Sequence, residues 1–149
     1  MGIQNDIKQT RPFRNEHHEA LVNLIYTYHW LVNQIKQSLK PYGITLQQYN
    51  VLRILRGAGK PLSTSDIRER LLDKMSDTSR MVDRLDQKGL VCRKTCDHDK
   101  RLVDISLTDQ GREVLNQLDH VNDKMDNILG ALSNEEAKVL SELLDKARD

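Results

Sequence analysis

The sequence predicts a mainly α (α+β) fold: a winged helix-turn-helix carried between N- and C-terminal helices that form a dimerisation domain. Three observations lead there. Apolar residues recur at three- and four-residue steps over most of the 149 residues. Between Ser63 and Gly89 a short helix, a turn and a second helix follow in order. Two extended runs, Leu90 to Thr95 and Leu102 to Leu107, then bracket a polar tip at residues 96–101, the layout of a wing.

Each element has a local reason. Residues 1–14 lack a clear period and read as an irregular lead-in. From Asn15, Leu21, Leu24, Ile25, Tyr28, Leu31, Val32, Ile35 and Leu39 mark a long helix, closed by Pro41 and Gly43. Val22, Tyr26 and Trp30 make its other face apolar too, so it packs on more than one neighbour. Thr45 and Gln48 form a capping box opening a helix with Tyr49, Val51, Leu52, Ile54 and Leu55 inward. Ser63, Thr64 and Ser65 offer caps for the next helix, with Ile67, Leu71 and Leu72 facing in. Asp73 to Met75 make the turn, and Ser76 is expected to cap the second helix, which ends at Gly89. The two runs of the wing are the only convincing strands. Thr108 caps a long helix whose Val114, Leu118, Val121, Met125, Ile128 and Leu132 form a heptad-like seam. Ser133 and Glu136 form a second capping box, starting a last helix with Val139, Leu140, Leu143 and Leu144 on one side.

The pattern reads as one domain over residues 1–149, with the helix-turn-helix at 63–89, the wing hairpin at 90–107 and dimerisation helices at 15–40 and 108–148. A symmetric homodimer is the economical way to bury the terminal seams. It also sets two reading helices about one duplex turn apart, roughly 34–36 Å.

Composition narrows the function. With 38% hydrophobic and only 4% aromatic residues, the core must be aliphatic. No stretch nears the roughly 18 apolar residues of a membrane span. The N-terminus lacks the basic-then-apolar layout of a secretory signal, and two cysteines build no disulfide framework, so a cytoplasmic protein is expected. The net charge of +1 hides an uneven distribution: +2 over residues 1–52, +5 over 53–101 and −6 over 102–149. Counterion release from double-stranded DNA rewards such a local basic face. An enzyme finds no support: no nucleophile–base set, phosphate-cradling glycine loop or paired carboxylates stand out, and no cofactor is implied.

Met81 to Val91, with its Asp-Arg-Leu step before Lys88-Gly89-Leu90, resembles the reading-helix exit of the MarR family, the multiple-antibiotic-resistance regulators. Asp99-Lys100-Arg101, followed by Val103 to Leu107 and Thr108-Asp109-Gln110-Gly111, is similar to that family's wing tip, return strand and helix start. The resemblance runs from about Glu16 to Leu144. It implies a homodimeric winged-helix repressor or activator on a palindromic operator, often released by a small ligand or oxidant.

Ser76, Asp77, Thr78, Ser79 and Arg80 open the reading helix and are the candidates for base edges, Arg80 for a two-bond grip on guanine. Two bland alternatives stand beside this: Ser76 as a cap only, and Thr78 facing the core with Val82. Arg84 is set for phosphate, as are Ser63, Thr64 and Ser65 at the preceding helix start. The resemblance sends Arg101, at the wing tip with Lys100, into the minor groove, with Asp99 placed to hold its guanidinium.

The resemblance also implies a small aromatic effector, for which Tyr26, Trp30, Tyr49 and Arg53 are the candidate pocket; plain core and dimer packing is the alternative. Cys92 and Cys96 beside His98 invite a second function, a redox or metal sensor whose output is not operator binding. They offer at most three ligands, so no metal site is assigned. The family's peroxide sensors carry their cysteine near the first helix, where this chain has none.

Overall fold

Capping side chains fix where most of the helices begin. The Asn15 side chain accepts from the His18 amide at 2.9 Å and opens α2, Glu16–Leu39. Thr45 and Gln48 close a reciprocal box at 3.1 and 3.2 Å and open α3, Leu46–Ala58. Ser63 and Asp66 do the same for α4, Thr64–Arg70, and Ser133 with Glu136 for α8, Asn134–Lys146. The computed structural model describes residues 2–95 and 103–149.

The remaining α-helices and strands are α1 (Ile3–Asp6), β1 (Leu62–Ser63), α5 (Thr78–Gln87), β2 (Val91–Thr95), β3 (Val103–Leu107), α6 (Asp109–Asp119) and α7 (Asn122–Asp126). Among the described residues the strands make one antiparallel sheet in the order β1-β3-β2. Its register pairs Leu62 with Ile105, and Val91 with Leu107. Leu52, Leu62, Ile67, Val82, Leu85, Ile105 and Leu115 meet beneath this sheet in one aliphatic core. No described helix is long and apolar enough to cross a membrane.

Within the fold the structure corrects five expectations. The lead-in holds a one-turn helix, α1, which buries Ile3; four residues are too few to show a period. A third strand exists, β1, whose two residues carry no alternation to read. The cap of the reading helix is Asp77, not Ser76: its carboxylate accepts from the Arg80 amide at 3.1 Å, while the Ser76 hydroxyl donates backwards to Asp73 at 2.8 Å. Leu72 does not face in. The backbone leaves the helix at Leu71, with φ −66° and ψ 142°, so the helical phase ends first and Leu72 points to solvent.

The fifth concerns the C-terminal seam, which is not one helix. The chain breaks after Asp119 and again around a 3-10 turn at Asn127–Leu129. Polar side chains hold the first break: the Asn122 amide donates to Asp119 at 3.5 Å, and its oxygen accepts from the Tyr49 hydroxyl at 3.3 Å.

Candidate nucleic-acid interface

The start of α5 is presented by an ordered turn. The Leu72 amide donates to Asn50 at 3.1 Å, and the Met75 amide to Asp73 at 3.0 Å. Lys74 donates to the Glu69 carbonyl. These bonds satisfy backbone groups that would otherwise leave the turn loose. On α5 the apolar positions Val82 and Leu85 go into the core, which turns Ser79, Arg80, Asp83 and Arg84 outward.

Thr78 is corrected here. It is 0% exposed, one turn before Val82 on the buried side, and cannot touch a base edge. Its hydroxyl has no hydrogen-bond partner among the described residues. Ser76, Asp77, Arg80 and Arg84 do come together, with Thr45 and Gln47 from the start of α3, around a shallow concavity of about 240 Å³. Two guanidiniums one helical turn apart thus share one open face. At the start of α4 Ser63 is occupied by its own box with Asp66. Hydrogen bonds from Ser63, first its side chain and then its backbone, hold the Asp66 carboxyl below its ordinary value. In the first turn of α4 Thr64 is half-buried and Ser65 exposed.

Three residues set the frame, of which sequence reasoning passed over two, Arg93 and Lys88, and named the third, Thr108, as a cap only. From β2, Arg93 pairs with Asp83 and stands 4.0 Å from Asp86, tying the wing strand to the flank of α5. The signal was legible: two carboxylates three residues apart on a helix form one acidic edge. At the far end of α5 the Lys88 ammonium donates to the Gly43 carbonyl at 2.5 Å and to Gln48 at 3.0 Å. It thereby joins the reading helix to the exit of α2. Thr108 locks the wing base, donating to the Gly89 carbonyl at 2.6 Å and accepting from the Gly111 amide at 3.0 Å. Asp99, Lys100 and Arg101 lie outside the described residues.

The aromatic candidates divide. Tyr49 is buried in α3, with the Arg53 guanidinium 5.7 Å over its ring, whereas Tyr26 and Trp30 are exposed on α2. An open apolar hollow of about 430 Å³ lies elsewhere along α2, between Leu24, Ile25 and Tyr28 and the end of α8 at Leu144 and Ala147. Cys92 is exposed, its sulfur 3.2 Å from the Ser106 hydroxyl; Cys96 and His98 lie outside the described residues. Among the described residues no three His, Cys, Asp or Glu side chains are placed to hold a metal ion.

A helix-turn-helix braced by a three-stranded wing, with two arginines on the open face of its second helix, defines a winged-helix protein. Residues 42–102 match the MarR family. A MarR transcription factor from Planctomyces limnophilus is 30% identical, with a TM-score of 0.69 over 90% of this chain and 98% of that one. A mutant of E. coli MarR, in a complex with operator DNA, is 25% identical with a TM-score of 0.76, covering 99% of both chains. The HTH-type transcriptional repressor MdtR of Bacillus subtilis (strain 168) is 40% identical over 78 residues, 52% of this chain; the match spans half (50%) of that repressor's length. The chain belongs to the MarR family of transcriptional regulators.

Proposed function

We propose that this chain is a sequence-specific DNA-binding regulator, a repressor acting as a homodimer on a palindromic operator. The observation that carries the reading is the pair Arg80 and Arg84, both exposed on α5 while the opposite side of that helix is sealed in the core. Arg80, beside Ser79 and Asp77, is assigned to base edges, and Arg84, one turn on, to phosphate. Arg101 and Lys100, from the wing tip, are assigned to the minor groove, with Asp99 as the orienting carboxylate. Ser63, Thr64 and Ser65 are assigned to the adjoining phosphates. The likeness to a named repressor supports the direction of regulation, and the likeness to an operator-bound relative supports the DNA partner.

The dimer rests on apolar surface. Leu21, Leu24, Ile25 and Tyr28 on α2, with Val139 and Leu143 on α8, are exposed in the single chain. Residues 15–40 and 108–148 therefore serve as the dimerisation arms, since a face of this kind seeks cover. A small aromatic effector fits the same reading: Arg53 and Tyr49 offer a stacked cation and ring, and Tyr26 and Trp30 exposed rings on the helix packed beside them.

Footprinting on the DNA upstream of the chain's own gene tests the function. Two protected half-sites with centres one duplex turn apart, roughly 34–36 Å, are the expected result. A protein that stays monomeric and protects no sequence would overturn it.

A further inference from the structure

Leu72 and Met75 are 84% and 93% exposed, more than any other large apolar side chain among the described residues. The rest of the exposed apolar side chains lie on the terminal helices and the segments beside them. These two stand alone on the turn between α4 and α5. Their exposure is imposed, because the turn is pinned by the Leu72 amide on Asn50, by the Met75 amide and Ser76 hydroxyl on Asp73, and by Lys74 on the Glu69 carbonyl. Polar residues would satisfy such a turn equally well, so the fold gives no reason for Leu and Met there.

The surroundings indicate the occupant. Met75 directly precedes Ser76 and Asp77, which with Ser79 and Arg80 form the edge assigned to the groove; Arg70 precedes the pair and Lys74 lies between its two members. Asp73, which also lies in the turn, is taken up by the Met75 amide and the Ser76 hydroxyl. An apolar pair continuous with a DNA-reading edge suits a duplex, because its aliphatic tips meet the apolar group that a base presents in the major groove. That group is the thymine C5-methyl.

We propose that Leu72 and Met75 read thymine methyl groups at the outer edge of each half-site, adding sequence preference to the contacts of Arg80. This rests on the DNA-binding reading above and can fail without it. The probe is the footprinted duplex, made once with thymine and once with uracil, which lacks only the methyl. The parent protein is expected to bind the uracil duplex about fourfold more weakly for each methyl covered. The Leu72→Ser/Met75→Ser variant should bind the thymine duplex with that same loss and no longer distinguish the two duplexes. Neither side chain touches the core, so its melting temperature should match the parent's. A parent indifferent to the methyl overturns the inference, as does a variant that keeps the parent's preference. So does a variant with full DNA affinity that has lost a protein partner instead. In each of those outcomes Arg80→Ala should still weaken binding, which leaves the DNA reading standing. If the parent binds neither duplex, the reading itself fails and the inference with it.

Discussion

The Arg56 guanidinium grips the Asp119 carboxylate with two donors, 2.8 and 3.0 Å from its two oxygens, and so ties the middle of the winged body to the point where the C-terminal arm breaks. Asn122 and Tyr49 extend the same network across the break. Geometry of this kind holds direction as well as distance, since a planar fork on a carboxylate resists rotation.

The Arg56 hydrogen bond is the largest cause holding the Asp119 carboxyl below its ordinary value. A carboxylate with a depressed folded value stabilises the fold above its unfolded value and loses that contribution as pH falls through the folded one. Asp119→Asn should therefore lower Tm slightly at neutral pH, by about 2 °C or less for so exposed a pair. The gap to the parent should narrow as pH falls below the ordinary carboxylate range and close once the folded carboxyl is protonated. Thermal melts from pH 7 to pH 2 decide it; a gap that is constant with pH would remove the ion pair from the account.

Thr78 makes the opposite kind of prediction. Its hydroxyl is buried without a partner among the described residues, a state that costs about 1–3 kcal/mol. Thr78→Val keeps the branched shape and removes the orphan oxygen, so it should stabilise the protein by about 1 kcal/mol and raise Tm by about 2–4 °C. Operator affinity should not change. A large loss of affinity at unchanged stability would return Thr78 to the DNA-facing set.

Arg101→Ala tests the wing. The substitution should weaken operator binding and reduce the slope of log affinity against log salt by about one, while the molecular mass in solution stays that of the parent. Titrations of both proteins between low and moderate salt read affinity and slope together. Identical curves would discard the groove role of that side chain.

How much of this was written in the chain depends on whether a signal is local. Thr45 with Gln48, Ser133 with Glu136, and Gly89 at φ +73° each act on their own backbone, and each marks its helix end where the sequence placed it. The choice between Ser76 and Asp77 as cap was not local, because Asp73 draws the serine hydroxyl away. The apolar seam from Val114 to Leu132 likewise tells which side faces inward, not whether every backbone bond is made, so the break at Asp119 left no trace in the period. For the interface, the arginines of α5 were legible from the helix phase, and Thr78 was misplaced by one face. Lys88 was invisible because its partner, Gly43, comes from elsewhere in the chain; for Arg93 the acidic edge of Asp83 and Asp86 was legible, but not which strand meets it.

Gly111 shows how a small motif residue can carry a tertiary demand. It is buried near the start of α6, and a Cβ built on it would lie 2.1 Å from the Leu90 carbonyl oxygen. That oxygen cannot swing aside, since it belongs to the backbone at the wing base and accepts from the Thr108 amide at 3.2 Å. Gly111→Ala should therefore push α6 off the wing and cost about 3 kcal/mol, lowering Tm by about 6–12 °C. Gly57 gives the matched control. It sits in the last turns of α3, where a Cβ would meet nothing within 4 Å, so Gly57→Ala should gain about 0.5–1 kcal/mol from helix propensity alone. The two substitutions are chemically identical and their predicted effects have opposite sign. Melting curves showing both variants shifted in the same direction would mean that the close approach of Gly111 to Leu90 does not govern the packing of α6.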